Sequence, residues 1–258
     1  MKRVLLLLMS ACLLFACGCE EKSSRISEIE KRGELFVGVK SDVPNFGFLD
    51  PSTGNYEGFE IEIARNFAKT ILGDETAITF IPVTALTRDK LLQNREIDFI
   101  IATFTITEER KKTYNFSQPY YEDEIGFLVK KGSEIKELSD INGKVAGAIF
   151  ASTAFDALDN GKIIVRTSFE KKGFASYPEL KNALLTDEID VFVSDKSILS
   201  GYLDDETVLL DEGFEPQSYG IATRLDDKAF AKFIDDHLSK MKADGSFQEI
   251  LSHWSIEG

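Results

Sequence analysis

Short apolar segments alternate with helical segments twice along the chain, and this alternation constrains the fold more than any other feature of the sequence. The first alternation begins at Glu34 and the second occupies residues 144–195. Strands that alternate with helices predict a parallel sheet with helices packed against it, so the sequence predicts an α/β fold with two such units. The predicted elements, in order, are a strand at 35–39, a helix at 59–72, a strand at 78–83, a helix ending near Asn94, a strand at 97–103, a strand at 145–149, a helix from Ser152, a strand at 163–166, a helix at 177–185 and a strand at 189–195.

The third strands of the two units resemble each other residue by residue. Glu96–Thr103 aligns without gaps on Glu188–Asp195, which puts Thr103 and Asp195 at matching strand ends. Ligands of open parallel α/β sheets bind beyond the carboxyl ends of the strands, so two facing sheets predict a cleft at these ends. The competing interpretation is that any two buried strands share this much similarity.

An extended segment and two helices are predicted to close the chain. Residues 213–223 have the pattern of an extended crossing between the two units. The first helix is expected to be capped at Asp226 or Asp227, and the second to begin near Ser246, after Gly245.

The amino-terminal residues 1–19 have the pattern of a secretory signal. Lys2 and Arg3 precede twelve largely apolar residues, Val4–Phe15. Twelve helical residues reach about 18 Å, short of the roughly 30 Å hydrocarbon core of a bilayer, so we expect this segment to be removed. All the cysteines of the chain lie here, which excludes disulfide, thiolate and cysteine-nucleophile chemistry from the folded body; they are Cys12, Cys17 and Cys19.

The run Leu14-Phe15-Ala16-Cys17 resembles a bacterial lipobox, so we predict a signal peptide at residues 1–16 and lipidation of Cys17. Cys19 is the alternative, and an ordinary signal peptide with incidental cysteines is the third interpretation. Removing residues 1–16 takes away two positive charges, which lowers the net charge from -14 to -16. Acyl chains would hold the protein on a membrane, with residues 17–32 as a tether.

Charge and missing motifs exclude several classes of function. A net charge of -14 disfavours nucleic acids and anionic membrane surfaces as partners. No nucleophile elbow, zincin, dinucleotide or P-loop motif is present. His237 and His253 lie on the two closing helices without neighbouring cysteines, so we interpret them as ordinary helix residues. We therefore expect no cofactor and no metal.

The segment Thr103–Arg110 is a hydroxyl-rich strand exit that meets a predicted helix start carrying Arg110. Free N–H groups, hydroxyls and a guanidinium together can clamp a carboxylate. The structural alternative is a capping box of Thr105 with Glu108, with Arg110 in a surface ion pair.

Several separated motifs resemble those of the bacterial extracellular solute-binding proteins, family 3, in the same order and spacing. The motifs are Gly38-Val39-Lys40, Gly58-Phe59-Glu60, Ile97-Asp98 to Thr103, Thr105 to Arg110, Tyr114 to Tyr121, and Val193 to Lys196. The resemblance covers residues 33–254 and is to members that bind polar amino acids and deliver them to ABC importers. It implies a periplasmic-binding-protein-like fold of two lobes joined by two crossing strands, with lobe 1 at 33–122 and 219–258 and lobe 2 at 123–218.

The resemblance also assigns roles to particular residues. Arg110 is similar to the residue that clamps the ligand's α-carboxylate, helped by Thr105, Ser152 and Thr153, and Asp195 to the acid that pairs with its α-ammonium. Bidentate arginine and an ionised acid suit these groups physically. The alternatives are helix capping for Ser152 and Thr153, and a cap or a surface acid for Asp195.

Side-chain selectivity is expected to depend on four further residues, which resemble contacts in aspartate- and glutamate-binding members. They are Lys40, Arg88, Thr103 and Tyr177. Members that bind basic amino acids carry an acid near Lys40, so a lysine there is expected to reject basic ligands. The alternatives are surface charge for Lys40 and Arg88, and core packing for Thr103 and Tyr177.

The expected function is that of a monomeric, lipid-anchored, extracytoplasmic receptor. It would capture L-aspartate or L-glutamate between its lobes and present it to the permease of an ABC importer, without covalent chemistry. The alternatives are an enzyme on the same scaffold, similar to cyclohexadienyl dehydratases, and a surface adhesin.

Overall fold

The computed structural model describes residues 24–159 and 168–256. The signal peptide, the cysteines and the strand predicted at 163–166 lie outside the described residues. Elements, in chain order, are α1 (Ser24–Arg32), β1 (Leu35–Val39), β2 (Asp42–Val43), β3 (Gly47–Leu49), β4 (Tyr56–Glu57), α2 (Phe59–Leu72), β5 (Ile78–Pro82), α3 (Arg88–Gln93), β6 (Phe99–Ile100), β7 (Tyr114–Phe116), β8 (Tyr121–Lys130), β9 (Val145–Ile149), α4 (Thr153–Asp159), β10 (Glu170–Phe174), α5 (Tyr177–Leu185), β11 (Val191–Asp195), α6 (Lys196–Ser200), β12 (Thr207–Leu209), β13 (Phe214–Tyr219), β14 (Ala222–Arg224), α7 (Lys228–Asp244) and α8 (Ser246–His253), with 3-10 turns at Arg110–Lys112 and Leu138–Ile141.

Two mixed sheets form the centres of two lobes. The sheet of lobe 1 has the order β5-β1-β6-β14-β7, and that of lobe 2 the order β10-β9-β11-β8-β12. In both sheets the first three strands are parallel, and the next strand is antiparallel to them. A small antiparallel sheet, β2-β3-β4, accompanies lobe 1. The two-lobed α/β fold predicted from the sequence is therefore confirmed.

Two antiparallel strands, β8 and β13, connect the lobes. Their register runs from Tyr219 opposite Tyr121 to Phe214 opposite Ile125. Where β13 enters lobe 1, Tyr219 also bridges to Thr105. The predicted crossing at 213–223 thus forms β13 and β14. The predicted lobe boundaries, after residues 122 and 218, fall within the paired strands and stay a prediction.

The third strands of the two units are joined to the first strands by the same pair of hydrogen bonds from an aspartate. In lobe 1 the backbone N–H of Asp98 donates to the carbonyl of Phe36, and Asp98 Oδ2 accepts the N–H of Phe36, both at 2.7 Å. In lobe 2, Asp190 makes the same two bonds with Val145, both at 2.8 Å. The aligned aspartates therefore fasten equivalent strands in equivalent ways.

Helix α1 differs from the sequence prediction. Residues 24–32 belong to the predicted tether, but they form a helix that packs against α2 and α7 with Ile26 and Ile29 buried. Arg25 and Arg32 contact the buried carboxylate of Asp98, with Arg25 Nη2 at 2.7 Å from Asp98 Oδ1. Apolar burial and these ion pairs fix the helix to lobe 1. The tether can therefore include residues 17–23 only, which lie outside the described residues.

Three further helices agree with the elements predicted from the sequence, and one strand was not predicted. Helices α2 and α5 have the predicted bounds, and Asp227 caps α7 by accepting the N–H of Phe230. The strand beside β9 in lobe 2 is β10, whose polar sequence gave no apolar strand signal. Within the described residues, no helix has both the length and the apolar character needed to cross a bilayer.

We predict that Asp98→Asn lowers the free energy of unfolding by about 3 to 5 kcal/mol, because it removes the buried carboxylate that pairs with both Arg25 and Arg32. Asp190→Asn is the matched control, since Asp190 makes the same backbone bonds but is exposed. It should cost about 1 kcal/mol. Urea unfolding followed by circular dichroism measures both; equal losses would show that the ion pairs add nothing.

Candidate functional site

One cavity between the lobes brings together all nine residues that the sequence analysis assigns to ligand binding. Its volume is about 30 Å³, so the side chains of the two lobes lie close together around it in this structure. The lining residues are Lys40, Ala85, Arg88, Ala102, Thr103, Thr105, Arg110, Ile149, Ser152, Thr153, Tyr177, Ser194 and Asp195. Convergence in one cavity is a property of the fold; that each residue contacts a ligand stays a prediction.

Two guanidinium groups lie on one phenylalanine ring in the wall of lobe 1. The Cζ atom of Arg88 is 3.7 Å from the centroid of the buried Phe104 ring, and that of Arg110 is 4.8 Å away. Arg110 Nη1 also donates to the carbonyl of Thr105 at 2.8 Å. Burial and the charge of Arg110 lower the pKa of Arg88 to about 9. In the part of the chain that the structure describes, no carboxylate lies within 4.0 Å of either guanidinium, so this wall favours an anion.

The prediction that an α-helix starts at Arg110 is wrong. Residues 110–112 form a single 3-10 turn, in which Thr107 Oγ1 accepts the N–H of Arg110 at 3.1 Å. The alternative capping box is absent too, because Thr105 lies in the bridge to Tyr219 and makes no described bond with Glu108. Arg110 therefore reaches the cavity from a turn held by a neighbouring threonine.

Thr103 adopts a backbone conformation that β-branched residues rarely adopt. Its φ is 44°, in the left-handed region, and its N–H donates to Glu60 Oε1 at 2.6 Å. The Tyr120 hydroxyl donates to the same oxygen. Strain of this kind is kept only where the surroundings fix it, and it clusters at functional sites. Glu60 and Tyr120 therefore hold Thr103 at the cavity wall.

This role of Glu60 is not evident from the sequence, in which the residue appears only as part of the motif Gly58-Phe59-Glu60. Glu60 is fully buried in the first turn of α2, and burial raises its pKa to about 7. Among the described residues, its Oε2 has no hydrogen-bond partner. An acid on the apolar face of a helix was the signal that the sequence offered.

Lys40 has a partner that the sequence analysis did not assign. Its Nζ lies 3.3 Å from Asp42 Oδ1 and 4.9 Å from the ring centroid of Tyr177. The side chain of Lys40 is 9% exposed, so it is not a mobile surface charge. Asp42 also accepts the N–H of Tyr177, at 3.3 Å, and its carbonyl accepts the Tyr202 hydroxyl, at 2.5 Å. Asp42 therefore balances the charge of Lys40 and joins β2 to lobe 2.

Asp195 lies at the end of β11 and is buried, with 5% of its surface exposed. Its Oδ2 accepts the Tyr219 hydroxyl at 2.5 Å, and its side chain does not cap the short helix α6. Burial, with the nearby charge of Asp123, raises its pKa to about 7 against the opposite effects of Tyr219 and Arg110. The alternatives of a helix cap or a surface acid do not describe it.

Ser152 and Thr153 lie at the start of α4, on the lobe 2 side of the cavity. Ser152 Oγ accepts the N–H of Phe155 at 3.0 Å, so the capping alternative describes this contact. A hydroxyl that accepts one bond still has a hydrogen to donate, which leaves Ser152 able to contact an anion.

Both histidines have ordinary structural surroundings, and neither lines the cavity. His237 is packed on Phe67 and Phe233 and lies 2.8 Å from Asn66 Oδ1. His253 lies on the surface beside Glu62. Among residues 24–159 and 168–256, no three His, Cys, Asp or Glu side chains are placed to hold a metal ion together.

Known proteins are similar to this chain over nearly its whole length. The model of the family "Bacterial extracellular solute-binding proteins, family 3" matches residues 35–257. The ABC transporter glutamine-binding protein GlnH of Bacillus subtilis is 38% identical over 98% of this chain and 96% of its own length. The glutamate-binding protein GluB of Corynebacterium glutamicum is 27% identical over 93% and 84%. The crystal structure of the ancestral amino acid-binding protein AncCDT-1, a precursor of cyclohexadienyl dehydratase, superposes with a TM-score of 0.80 at 29% identity, over 90% of this chain and 99% of that one.

We predict that Glu60 makes the ligand-free protein less stable as pH rises. A folded-state pKa raised from 4.5 to about 7 favours the protonated form, so its stability contribution is full below pH 4.5 and lost by pH 7, a change of about 3 kcal/mol. Urea unfolding at pH 4.5 and pH 8 should show this loss in the wild type and in the exposed-acid control Glu57→Gln. Glu60→Gln should lose about 3 kcal/mol less than these two proteins over the same pH range, and the loss that remains comes from other buried acids such as Asp195. Identical pH dependence in all three proteins would contradict the assignment.

Proposed function

The chain belongs to the bacterial extracellular solute-binding proteins, family 3, and we propose that it captures L-glutamate or L-aspartate between its lobes and delivers it to an ABC importer. Its relatives are named as amino-acid-binding proteins, one of them as part of an ABC transporter, and not as enzymes. The protein is accordingly an extracytoplasmic amino-acid-binding component of such a transporter. The identity of the amino acid and the mode of membrane attachment are the proposals.

The proposal for the backbone of the ligand rests on two opposite charges in one cavity. Arg110 comes from lobe 1 and Asp195 from lobe 2, and both line the space between them. A zwitterionic amino acid carries a carboxylate for Arg110 and an ammonium for Asp195. Charge-assisted hydrogen bonds of this kind are stronger than neutral ones, and they gain further where water is excluded.

The proposal for an acidic side chain rests on the single observation that Arg88 has no carboxylate within ion-pair distance among the described residues. If Arg110 takes the α-carboxylate and Lys40 pairs with Asp42, the guanidinium of Arg88 is the charge left to balance. A second carboxylate on the ligand supplies that balance. Glutamate and aspartate have it, and glutamine does not.

Glutamine is the second candidate, because the Lys40–Asp42 pair favours it. A lysine whose charge is already balanced attracts a carboxylate less, and Asp42 offers an acceptor to an amide N–H. The 38% identical relative from Bacillus subtilis is named as a glutamine-binding protein. Under this alternative, Arg88 would share the α-carboxylate with Arg110.

Calorimetric titration of the purified protein, refolded after unfolding to remove bound ligand, separates these candidates. We expect micromolar or tighter binding of glutamate or aspartate, which is about -8 kcal/mol or better, and weaker binding of glutamine. Arg88→Ala should weaken the acidic ligand by about 2 to 5 kcal/mol, because it removes one member of a buried charge pair. Glutamine should be affected much less.

The matched control is Arg65→Ala, since Arg65 also lies over a phenylalanine, Phe80, but outside the cavity. It should leave every affinity unchanged. Asp42→Asn should strengthen acidic ligands relative to glutamine by removing the negative charge beside Lys40. Tightest binding of glutamine, with Arg88→Ala equal to the wild type for acidic ligands, would overturn the acidic proposal and leave the transport role in place.

The alternatives of a dehydratase-like enzyme and an adhesin have less support. The structural neighbour that precedes cyclohexadienyl dehydratase is itself named an amino acid-binding protein. A cavity that carries both an arginine and an acid for the two ends of a zwitterion suits capture of an amino acid. Absence of binding to all amino acids in the titration would return both alternatives to consideration.

We also propose that Cys17, or Cys19 in its place, carries the lipid that holds the protein on the membrane. The support is the lipobox-like run before Cys17. Cys17→Ser should move the protein from the detergent phase to the aqueous phase in phase partitioning and abolish incorporation of labelled fatty acid. The same outcome for Cys19→Ser alone would assign the lipid to Cys19. If neither variant changes the partitioning or the labelling, the signal peptide is an ordinary one.

A further inference from the structure

A buried tyrosine joins the crossing strands to the predicted ammonium site. Tyr219, at the end of β13, donates to Asp195 Oδ2 at 2.5 Å, and the same hydroxyl oxygen lies 3.1 Å from Asp123 Oδ2. Asp123 is on β8, the other crossing strand. Tyr219 is fully buried. The Tyr219 hydroxyl is therefore shared between Asp195 at the cavity and Asp123 on a crossing strand.

The two carboxylates depend on Tyr219 to different degrees. Asp123 is held by two backbone N–H groups, those of Glu124 at 2.8 Å and Ser197 at 3.1 Å. Asp195 has one described side-chain partner, the Tyr219 hydroxyl. A phenol carries one hydrogen and can donate it to one carboxylate at a time. The orientation of Asp195 therefore rests on Tyr219, and Asp123 competes for the same hydrogen.

We propose that Tyr219 and Asp123 are positioning residues for the amino group of the ligand: Tyr219 holds the Asp195 carboxylate toward the cavity, and Asp123 sets the pH range in which Asp195 is ionised. Neither residue lines the cavity, so both act through Asp195. The inference rests on the proposed function, since it takes Asp195 as the partner of the α-ammonium.

Four groups on separate elements face Asp195 and define its titration. Arg110 faces it from the turn of lobe 1, Asp123 from β8, Tyr177 from α5 and Tyr219 from β13. An ammonium binds the ionised acid, so affinity should fall about tenfold for each pH unit below the pKa of ligand-free Asp195. That pKa is about 7, raised by burial and by Asp123 and lowered by Tyr219 and Arg110.

Two substitutions should move this pH dependence in opposite directions. Tyr219→Phe removes the donor that favours the charged form, so the midpoint should shift to higher pH, and affinity at pH 8 should fall about 10- to 100-fold for every amino acid that binds. Asp123→Asn removes a neighbouring negative charge, so the midpoint should shift to lower pH and binding should persist further into the acid range.

Retained packing makes Tyr219→Phe a mild change. The ring of Tyr219 packs on Phe46 and Tyr121, with centroids 6.2 Å and 5.7 Å away, and phenylalanine keeps these contacts. Tyr121→Phe is the matched control, because it removes a hydroxyl from the neighbouring ring on β8. Its midpoint should equal that of the wild type. A merely structural role for Tyr219 would lower affinity and leave the midpoint unchanged.

The experiment measures two quantities in the full-length protein and in the three variants. Calorimetry from pH 5 to 9 gives the affinity for glutamate, aspartate and glutamine. Carbon-13 NMR of the carboxyl groups in the ligand-free protein gives the midpoint of Asp195 directly, assigned with Asp195→Asn. Opposite shifts for Tyr219→Phe and Asp123→Asn by both methods are the expected result. Equal midpoints in all proteins with binding intact would overturn the inference and leave the proposed function in place. Shifted NMR midpoints without binding of any amino acid would overturn the proposed function, and with it the role of Tyr219 and Asp123 toward a ligand.

Discussion

The cleft holds several charged side chains away from water, and the free-energy cost of burying these charges is the constraint on which the cleft depends. Arg88, Arg110 and Lys40 reach the cavity from lobe 1, and Asp195 reaches it from lobe 2. A buried charge that loses its partner is costly by several kcal/mol, so the closed arrangement is most stable when a ligand brings complementary charges. Under the proposed function, the side chains that contact the ligand also determine when the lobes close, so that binding and closure are two descriptions of one equilibrium.

The two lobes share the way in which their strands are joined but differ in the surroundings of their strand ends. Aspartates at matching positions, Asp98 and Asp190, fasten the third strand to the first in each sheet. Beyond the strand ends the environments differ: Thr103 is fixed through Glu60 and Tyr120, and Asp195 through Tyr219. A shared framework thus presents cations from one side and a carboxylate from the other, which is the polarity that a zwitterion requires.

Periodicity and motif spacing predicted most of this framework. Helices α2 and α5 were predicted to the residue, because apolar residues recur on one face and each helix has clear end signals. All nine predicted ligand-binding residues line one cavity because strand ends and turns of both lobes meet there. Partners within the site were harder to predict, since a sequence does not show which charges meet. Asp42, two residues from Lys40, is the clearest case, and Glu60, buried without a charged partner in its own helix, is another. The strand β10 and the helix α1 were missed because their stability comes from pairing and packing, and their own sequences are polar.

Helix α1 has a mechanical consequence. The polypeptide enters the folded body on lobe 1 and is fastened there by Arg25 and Arg32 on Asp98 before the first strand begins. Lobe 2 is joined to lobe 1 covalently through β8 and β13 alone. A pull on the amino terminus therefore loads lobe 1 through ion pairs under the sheet and does not stretch the crossing strands.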